Sequence, residues 1–288
     1  MEKILLIDGN SILNRAFYGY PELIGKNGFP IQGVYGFLNM MNGYIESQNP
    51  NYFGIAFDLP IPTFRHIEYK EYKGTRHEAP NGFVQNIKIV EECLSKLKVC
   101  TISYPGYEAD DILGTLSLQA KQNGYKTIIV SGDKDILQLV DDKIHVLLPK
   151  TVKGENKTKY YGPNDFENEF HFKPIELTDY KGLMGDTSDN IPGIKGIGKK
   201  TAQKIITEYH TIENAFLHAD EMNPKRYGLL LKEHYEDAVF SKKIATIIRD
   251  VPIKLETEFM KIPEMNEETK KLLTELGIYE KVHIRKRP

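Results

Sequence analysis

Short, continuous apolar runs alternate along the chain with longer segments whose apolar residues recur at helical spacing. Three short runs, at residues 3–7, 52–57 and 126–130, consist mostly of consecutive apolar residues, which is typical of parallel strands buried on both faces. Residues 34–47 and 83–97 instead carry apolar side chains every three or four positions, as amphipathic helices do. The pattern predicts an α/β fold in which helices flank a βαβ sheet.

Aspartates follow these strands at their carboxyl ends. Asp8 closes the first run, Asp58 the second, and Asp133 and Asp135 the third. Right-handed βαβ connections bring such ends to one edge of the sheet, where open α/β sheets bind ligands. Each aspartate alone would more often be an ordinary turn residue, but together they predict a shared acidic site.

A further group of carboxylates, Glu108, Asp110 and Asp111, directly precedes a helical apolar pattern. One or two acids suit the first turn of a helix, where the positive end of the macrodipole lies. Three repel one another unless a cation is bound. An over-acidic helix start is the alternative while this group is considered alone.

Asp186 and Asp189, spaced i, i+3, bring the candidate carboxylates to nine. A site built from carboxylate oxygens suits hard cations such as Mg²⁺ or Mn²⁺ rather than zinc. We expect these acids to form a metal site, with Asp111 nearest the metals.

Residues 64–76 interleave basic and aromatic side chains. Because acidic residues nearly offset the cations, a solvated helix is one interpretation. The other is a mobile cationic segment that presents basic side chains to phosphates and offers Tyr69 and Tyr72 for stacking on bases. The basic side chains concerned are Arg65, Lys73 and Arg76.

A glycine-rich turn follows Asp189 and precedes a new helical pattern at 199–208. Its glycines allow close approach of the backbone, and the helix amides can bind phosphate. Its lysines supply sequence-independent charge. The residues concerned are Gly193, Lys195, Gly196, Gly198, Lys199 and Lys200. Helical patterns near 234–248 and 266–276 complete this region, whereas residues 150–160 are polar and predict a loop between edge strands.

At 288 residues the chain is long enough for one large domain and a smaller one. Its 27% charged fraction is typical of soluble globular proteins, and no apolar run approaches the ~20 residues of a membrane span. Cys93 and Cys100 are the only cysteines, so neither a disulfide framework nor a Cys-based zinc site is expected. Residues 1–3 lead into a strand pattern rather than a signal peptide, so we expect a cytoplasmic protein with no membrane association.

The net charge of −2 argues at first against a nucleic-acid partner. Setting aside the nine carboxylates as metal ligands leaves +7 for the rest of the chain. The glycine fingerprints of P-loop and dinucleotide-binding proteins do not occur in the sequence, nor does a nucleophile elbow. The carboxylates and their metals would therefore have to carry the chemistry.

Nearly the whole chain resembles the 5′-nuclease family, which comprises bacterial flap endonucleases and the 5′→3′ exonuclease domain of DNA polymerase I. The motifs occur in the family's order and at similar spacing. They are Ile7-Asp8-Gly9-Asn10-Ser11, Phe57-Asp58, Phe64-Arg65-His66, Tyr72-Lys73-Gly74-Thr75-Arg76, Glu108-Ala109-Asp110-Asp111, Gly132-Asp133-Lys134-Asp135, Gly185-Asp186-Thr187-Ser188-Asp189-Asn190-Ile191-Pro192-Gly193 and Gly196-Ile197-Gly198.

The resemblance implies a Rossmann-like, PIN-like fold with a mixed, mostly parallel sheet flanked by helices. It implies a nuclease core over residues 1–172 with a helical arch near 60–80. A helical DNA-binding region would follow over 173–288, with a helix–three-turn–helix element near 183–208. The implied activity is metal-dependent, structure-specific 5′→3′ exonuclease and 5′-flap endonuclease cleavage of DNA in replication and repair.

The resemblance also implies roles for individual residues. The tighter metal cluster would comprise Asp8, Asp58, Glu108, Asp110, Asp111 and Asp133, and the second cluster Asp135, Asp186 and Asp189. The residues expected to act in catalysis are Asp8, Asp58, Lys73, Arg76, Asp111 and Asp133. Arg65 would make a further phosphate contact, and the hairpin with Gly193, Lys195, Gly196, Gly198, Lys199 and Lys200 would hold K⁺ and grip duplex DNA.

The chain departs from the family pattern at two places. Asn14 stands where many members have tyrosine, and Leu59-Pro60-Ile61-Pro62 replaces a short polar stretch that contains lysine. A non-catalytic module that binds branched DNA remains the alternative function, and an RNA-cleaving relative is a second rival. We expect a monomer that is free-standing or forms part of a DNA polymerase I, and residues 285–288 form either a tail or a boundary.

Overall fold

A six-stranded sheet runs through the middle of the molecule in the order β3-β2-β1-β4-β5-β6. The computed structural model describes residues 1–26, 28–76, 79–152 and 155–284. The strands are β1 (Lys3–Asp8), β2 (Tyr52–Ala56), β3 (Cys100–Ile102), β4 (Lys126–Val130), β5 (Ile144–Val152) and β6 (Glu155–Tyr161). Neighbouring strands from β3 to β5 pair parallel, and β6 pairs antiparallel to β5. The sheet is therefore mixed and mostly parallel, as predicted.

The register aligns the carboxyl ends of the central strands. Asp8 at the end of β1 pairs with Ala56 of β2, and the preceding Ile7 pairs with Val130 of β4. Residues that follow these three strands thus emerge at one edge of the sheet. The expected loop over 150–160 was wrong, because these residues belong to the long β5–β6 hairpin except for 153–154, which lie outside the described residues.

Helices cover both faces of the sheet. They are α1 (Gly9–Gly19), α2 (Gln32–Gln48), α3 (Phe64–Glu68), α4 (Asn81–Lys96), α5 (Ala109–Gln122), α6 (Pro163–Phe170), α7 (Leu177–Met184), α8 (Lys199–Tyr209), α9 (Ile212–Leu217), α10 (Lys225–Glu233), α11 (Tyr235–Ala245) and α12 (Glu267–Leu276). Short 3₁₀ helices lie at Asp135–Leu139, Pro174–Glu176, Ala219–Glu221, Thr257–Phe259 and Tyr279–Lys281. The predicted helices near 199–208, 234–248 and 266–276 correspond to α8, α11 and α12.

Alternate residues of β1 pack into two separate cores, because successive strand side chains point to opposite faces. Leu5 and Ile7 contact one cluster, which is built with α1, α2 and α4. Ile4 and Leu6 contact the other, which contains α5 and most of the residues buried after 160. The sheet is thus buried on both sides, which explains the continuous apolar runs of its parallel strands.

The expected arch near 60–80 consists, in the described residues, of the five-residue helix α3 and a turn that ends before Arg76. Lys73 takes a positive φ of 55°, which does not continue a helix. Tyr72 is only 4% exposed and packs with Ile191 and Ile244. The expectation that Tyr72 is available for stacking on bases is therefore wrong for this conformation. His77 and Glu78 lie outside the described residues.

The last part of the chain returns to the first half of the molecule. The backbone amides of Ile248, Val251 and Leu255 donate to side chains on α5, at 2.8, 3.1 and 2.8 Å. Helix α12 then packs Leu273 and Leu276 into the core on the other face of the sheet. The segment after α11 therefore returns to α5 and to both faces of the sheet.

Within the described ranges, none of the helices is long and apolar enough to cross a membrane. Residues 285–288, expected to form a tail or a boundary, lie outside the described part of the chain.

Candidate active site

Hydroxyl groups brace the ends of β1 and β4 against each other. Asp8 caps α1 by accepting from the Ser11 amide at 3.0 Å, and the Ser131 hydroxyl donates to its other oxygen at 2.7 Å. The Gly132 amide donates to the Ser11 hydroxyl at 2.8 Å. Sequence reasoning missed Ser131, although its position directly after a strand, beside the strand that ends in Asp8, was a usable signal.

Asp58 joins the end of β2 to the start of α5. Its carboxylate accepts from the Ala109 amide at 2.7 Å, and its own amide donates to the Asn10 side chain at 2.8 Å. The turn after β1, the end of β2 and the first turn of α5 are thereby held together. This is the arrangement that the strand-end aspartates predicted.

A cavity of about 400 Å³ lies at this edge of the sheet. Five of the six carboxylates expected in the tighter metal cluster line it, together with two of the expected cations. These lining residues are Asp8, Asp58, Glu108, Asp110, Asp133, Lys73 and Arg76. Asn14, which departs from the family pattern, also lines the cavity.

Asp111 does not reach this cavity, so the expectation that it lies nearest the metals is corrected. Its side chain is 0% exposed and accepts from both terminal nitrogens of Arg65, at 2.7 and 2.8 Å. It also accepts from the amides of Glu108 and Ile248, at 3.0 and 2.8 Å. With four donors and no exposed surface, Asp111 holds the fold together around the site.

Arg65 is likewise corrected from a phosphate contact to a buried partner of Asp111. Its side chain is 3% exposed. Besides Asp111, it donates to the backbone carbonyls of Ile244 and Thr246, at 2.9 and 2.7 Å, and to Glu108 at 3.1 Å. A guanidinium with this set of acceptors does not present its charge to an outside phosphate.

Lys73 and Arg76 contact carboxylates that come from different elements. The Lys73 ammonium lies 2.5 Å from Glu108 Oε1, and Arg76 Nη2 lies 2.6 Å from Asp189 Oδ1. Tyr72 donates to both of these acids, at 2.9 and 3.1 Å. The segment after α3 is thus docked onto the acidic edge through three side chains.

Lys181, which sequence reasoning missed, joins two carboxylates of the second group, whereas Asp189 contacts Arg76 and Tyr72. The Lys181 ammonium bonds to Asp135 and to Asp186, and its side chain is 7% exposed. Asp186 also accepts from the amide and hydroxyl of Ser188, at 2.7 and 2.6 Å. A lysine among the apolar positions of α7, shortly before an acid pair, was the available signal.

The carboxylates at this edge differ widely in proton affinity. Burial and neighbouring acids raise the pKa of Asp8 to about 7 and that of Asp110 well above its ordinary value. Burial likewise raises the pKa of Asp135 to about 7 in spite of Lys181. Burial alone would raise the pKa of Asp186, but Lys181 lowers it to about 2. Asp8 and Asp110 therefore resist ionisation in the absence of a cation, because they are buried and lie beside other acids.

This donor set fits a hard divalent cation, because its ligands are carboxylate oxygens. A cation would also reduce the repulsion among the neighbouring acids. Among the described residues no three His, Cys, Asp or Glu side chains converge closely enough to hold an ion as they stand. Lys73, Arg76 and Lys181 instead contact the acids directly. An ion would compete with these ammonium and guanidinium groups for the same oxygens.

The hairpin between α7 and α8 depends on two glycines that face each other. Gly185 and Gly193 have φ values of 77° and 59°, and a Cβ added to Gly193 would lie 2.2 Å from the Gly185 nitrogen. The backbone can approach this closely only without side chains. Lys195, Lys199 and Lys200 are exposed around the turn. The hairpin therefore presents backbone and positive charge together.

Comparisons with known proteins agree with this architecture. A family model described as the N-terminal resolvase-like domain of 5′-3′ exonucleases matches residues 3–171. A second, described as the C-terminal SAM fold of 5′-3′ exonucleases, matches residues 172–268. Among solved structures, T5 5′-exonuclease with bound zinc has a TM-score of 0.71 at 21% identity, covering 85% of this chain and 89% of that one. The catalytic core of Rad2 in complex with DNA has a TM-score of 0.58 at 17% identity, covering 97% and 90%.

Curated relatives are more similar in sequence. DNA polymerase I of Bacillus caldotenax is 38% identical over 277 residues, which make up 96% of this chain and 31% of the polymerase. DNA polymerase I of Bacillus subtilis (strain 168) is 36% identical over 267 residues, 93% of this chain and 30% of that protein. The chain thus spans about three tenths of the length of these relatives. With both family models matched in sequence order and the acidic edge in place, the chain belongs to the 5′-3′ exonuclease family.

Proposed function

We propose that this chain is a metal-dependent, structure-specific 5′ nuclease that hydrolyses DNA phosphodiesters, as a 5′→3′ exonuclease and a 5′-flap endonuclease. The observation that carries the proposal is the 400 Å³ cavity into which several separate elements deliver carboxylates beside Lys73 and Arg76. Family membership and the polymerase relatives support a role in DNA replication and repair.

Asp8, Asp58, Glu108, Asp110 and Asp133 would hold one divalent ion, and Asp135, Asp186 and Asp189 would hold a second. When bound, two such ions, Mg²⁺ or Mn²⁺, supply a nucleophilic water and stabilise the leaving oxygen of an in-line displacement. Asp111 is left out of this set, because its oxygens are committed to Arg65 and to backbone amides. In the proposal Asp111 positions Glu108, because it accepts a hydrogen bond from the Glu108 backbone amide.

Lys73 and Arg76 would exchange partners when substrate binds. In the structure they neutralise Glu108 and Asp189. Divalent ions bound to these carboxylates would replace Lys73 and Arg76 as their partners. Both basic side chains would then be free to contact the scissile phosphate. Arg76 is half exposed, so it needs little movement to reach a ligand in the cavity.

The hairpin would grip duplex DNA away from the cut. Its exposed Lys195, Lys199 and Lys200 suit sequence-independent phosphate contacts. The close backbone approach at Gly193 and the turn at Gly196 offer carbonyl oxygens, which are the ligands that a K⁺ ion would need. Gly198 lies at the start of α8, where free amides favour an anion.

The proposed partner is branched or 5′-flapped DNA, bound by a monomer in the cytoplasm. The polymerase relatives support a place within or beside a DNA polymerase I. The T5 structure is that of a 5′-exonuclease, and the Rad2 catalytic core is bound to a DNA substrate; both share the fold of this chain.

The test is cleavage of a labelled 5′-flap DNA with Mg²⁺ and with EDTA. We expect release of the flap with Mg²⁺ and intact substrate with EDTA. A protein that binds the flap but leaves it uncut under both conditions would be a non-catalytic junction-binding module. Unlabelled RNA and unlabelled flap DNA are then compared as competitors of the labelled flap. Inhibition by RNA at a lower concentration than is needed with flap DNA would instead indicate an RNA-cleaving enzyme.

A further inference from the structure

A second cavity, of about 430 Å³, opens beside the carboxylates of the second cluster. Asp135, Lys181 and Asp186 form its acidic wall. The rest of the lining is largely apolar and includes Phe170, Leu177, Tyr180 and Met184. Metal binding would account for the acidic wall and core packing for Leu177 and Tyr180, but neither explains the partly exposed Phe170 and Met184.

The aromatic part of this cavity is rigidly supported. The Phe170 ring stacks on Phe166 with centroids 4.4 Å apart and an interplanar angle of 17°. Tyr180 is buried and lies 5.3 Å, centroid to centroid, from Phe172. Phe170 itself remains partly exposed at the cavity. Its orientation is fixed by packing, so it can receive a flat ligand without first being ordered.

Two exposed cations line the same cavity. Lys134 precedes Asp135, and Lys199 begins α8. In the part of the chain that the structure describes, neither ammonium forms an ion pair with a carboxylate. Their charge is therefore available to an anionic ligand that also covers the apolar wall.

We propose that this cavity binds a single nucleotide of the strand cut at the acidic edge, with its base on Phe170 and Met184 and its phosphate near Lys134 and Lys199. This assignment rests on the proposed function, since that function supplies the ligand. The volume lies within the ~300–1,000 Å³ of small-molecule sites. An apolar ligand would leave the cations unused, and a bare anion would leave the aromatic wall uncovered.

The consequence is a subsite that retains a 5′-mononucleotide, the product of 5′→3′ exonuclease cleavage. Because every base has an aromatic face, the subsite would accept all four bases with small differences in affinity. A 5′-mononucleotide would then inhibit cleavage, whereas the nucleoside without phosphate would inhibit less.

The experiment is a calorimetric titration of the full chain, in Mg²⁺ buffer, with deoxyadenosine 5′-monophosphate, deoxyadenosine and inorganic phosphate. The variants are Phe170→Leu, which keeps an apolar side chain but removes the ring, and Lys134→Ala, which changes an exposed residue. The control is Ile175→Ala, because Ile175 is 61% exposed in the same region and does not line the cavity. Thermal unfolding shows whether each variant is folded.

We expect the monophosphate to bind wild type more tightly than either fragment. Loss of one base–aromatic contact should weaken binding by about tenfold in Phe170→Leu. Lys134→Ala should also bind more weakly, and Ile175→Ala should bind as wild type does. Monophosphate binding no tighter than that of inorganic phosphate, or equal in wild type and Lys134→Ala, would overturn the subsite.

Flap cleavage by the same preparations separates this subsite from the proposed function. Wild type that cuts the flap but does not bind the monophosphate refutes the subsite alone. Wild type that binds the monophosphate at Phe170 but never cuts DNA refutes the nuclease and leaves a nucleotide-binding cavity.

Discussion

Asp110 and Asp111 are adjacent in the chain and meet opposite environments. Asp110 lines the 400 Å³ cavity, where burial and other acids raise its pKa. Asp111 is fully buried in a bidentate pair with Arg65. Since adjacent helical residues point about 100° apart, one faces the solvent-filled edge and the other the interior. Their substitutions should therefore separate metal binding from stability.

Asp111→Asn should destabilise the fold by about 3–5 kcal/mol, because it leaves the Arg65 charge buried without its partner. Asp110→Asn should instead weaken metal binding and leave stability in EDTA unchanged or higher, because it removes repulsion. Urea unfolding in EDTA and calorimetric Mn²⁺ titration measure the two effects. Wild-type stability together with lost metal binding in Asp111→Asn would show that Asp111 is a metal ligand after all.

Lys73→Ala should have opposite effects on cleavage and on metal binding. Removing the cation that contacts Glu108 at 2.5 Å frees a carboxylate, so Mn²⁺ should bind more tightly. The single-turnover rate of flap cleavage should fall by about a hundredfold, as for loss of one preorganised positive group. Exposed Lys70→Ala is the control. An unchanged rate in Lys73→Ala would remove Lys73 from catalysis and leave it only a partner of Glu108.

At the scale of elements, the hairpin offers a matched pair of glycines. Gly193→Ala would need a positive φ and a Cβ 2.2 Å from the Gly185 nitrogen. We expect this variant to bind duplex DNA much more weakly, because the turn must rearrange. Gly198→Ala has no atom within 4 Å of the added Cβ and should bind nearly as wild type does. Fluorescence anisotropy with labelled duplex compares them, and equal affinity for both would remove the hairpin from the DNA contact.

Elements were predictable where burial dominates and unpredictable where contacts are distant. The runs ending in Asp8 and Asp58 revealed the strands and their acidic edge, because buried parallel strands are continuously apolar. The β5–β6 hairpin was missed because its exposed positions, such as Lys157 and Lys159, are polar. The role of Arg65 was mistaken because its acceptors at Ile244 and Thr246 lie 179 and 181 residues further along the chain.

At the scale of the whole molecule, distant parts of the chain contact the residues that support the acidic edge. Residues 246–255 cross α5 and supply the Ile248 amide to Asp111, while α11 and its carbonyl at Ile244 anchor Arg65. Hydrogen bonds thus join the helical half to the sheet, and we expect the two to unfold together. Repulsion at the acidic edge should accordingly be visible in global unfolding.

In EDTA, stability should fall as pH rises from about 4 to about 7. Asp8 and Asp135 have an ordinary pKa of 3.8 that the fold raises to about 7. The folded state therefore binds more protons than the unfolded state in this window, and raising the pH costs stability. Mg²⁺ should restore more stability at pH 8 than at pH 5. Thermal unfolding at several pH values, with and without Mg²⁺, tests this. In EDTA, Asp8→Asn should make the stability less dependent on pH. Stability that rises with pH in EDTA would contradict the prediction.

The central claim is that the carboxylates at this edge carry out cleavage and are not required to bind DNA. The most direct measurement is single-turnover cleavage of a 5′-flap in Mg²⁺ by wild type, Asp133→Ala and Asp186→Ala, with affinity for the same flap measured in parallel. We predict that both variants lose cleavage and keep most of their DNA affinity. Cleavage at the wild-type rate by either variant would contradict the assignment of the metal site.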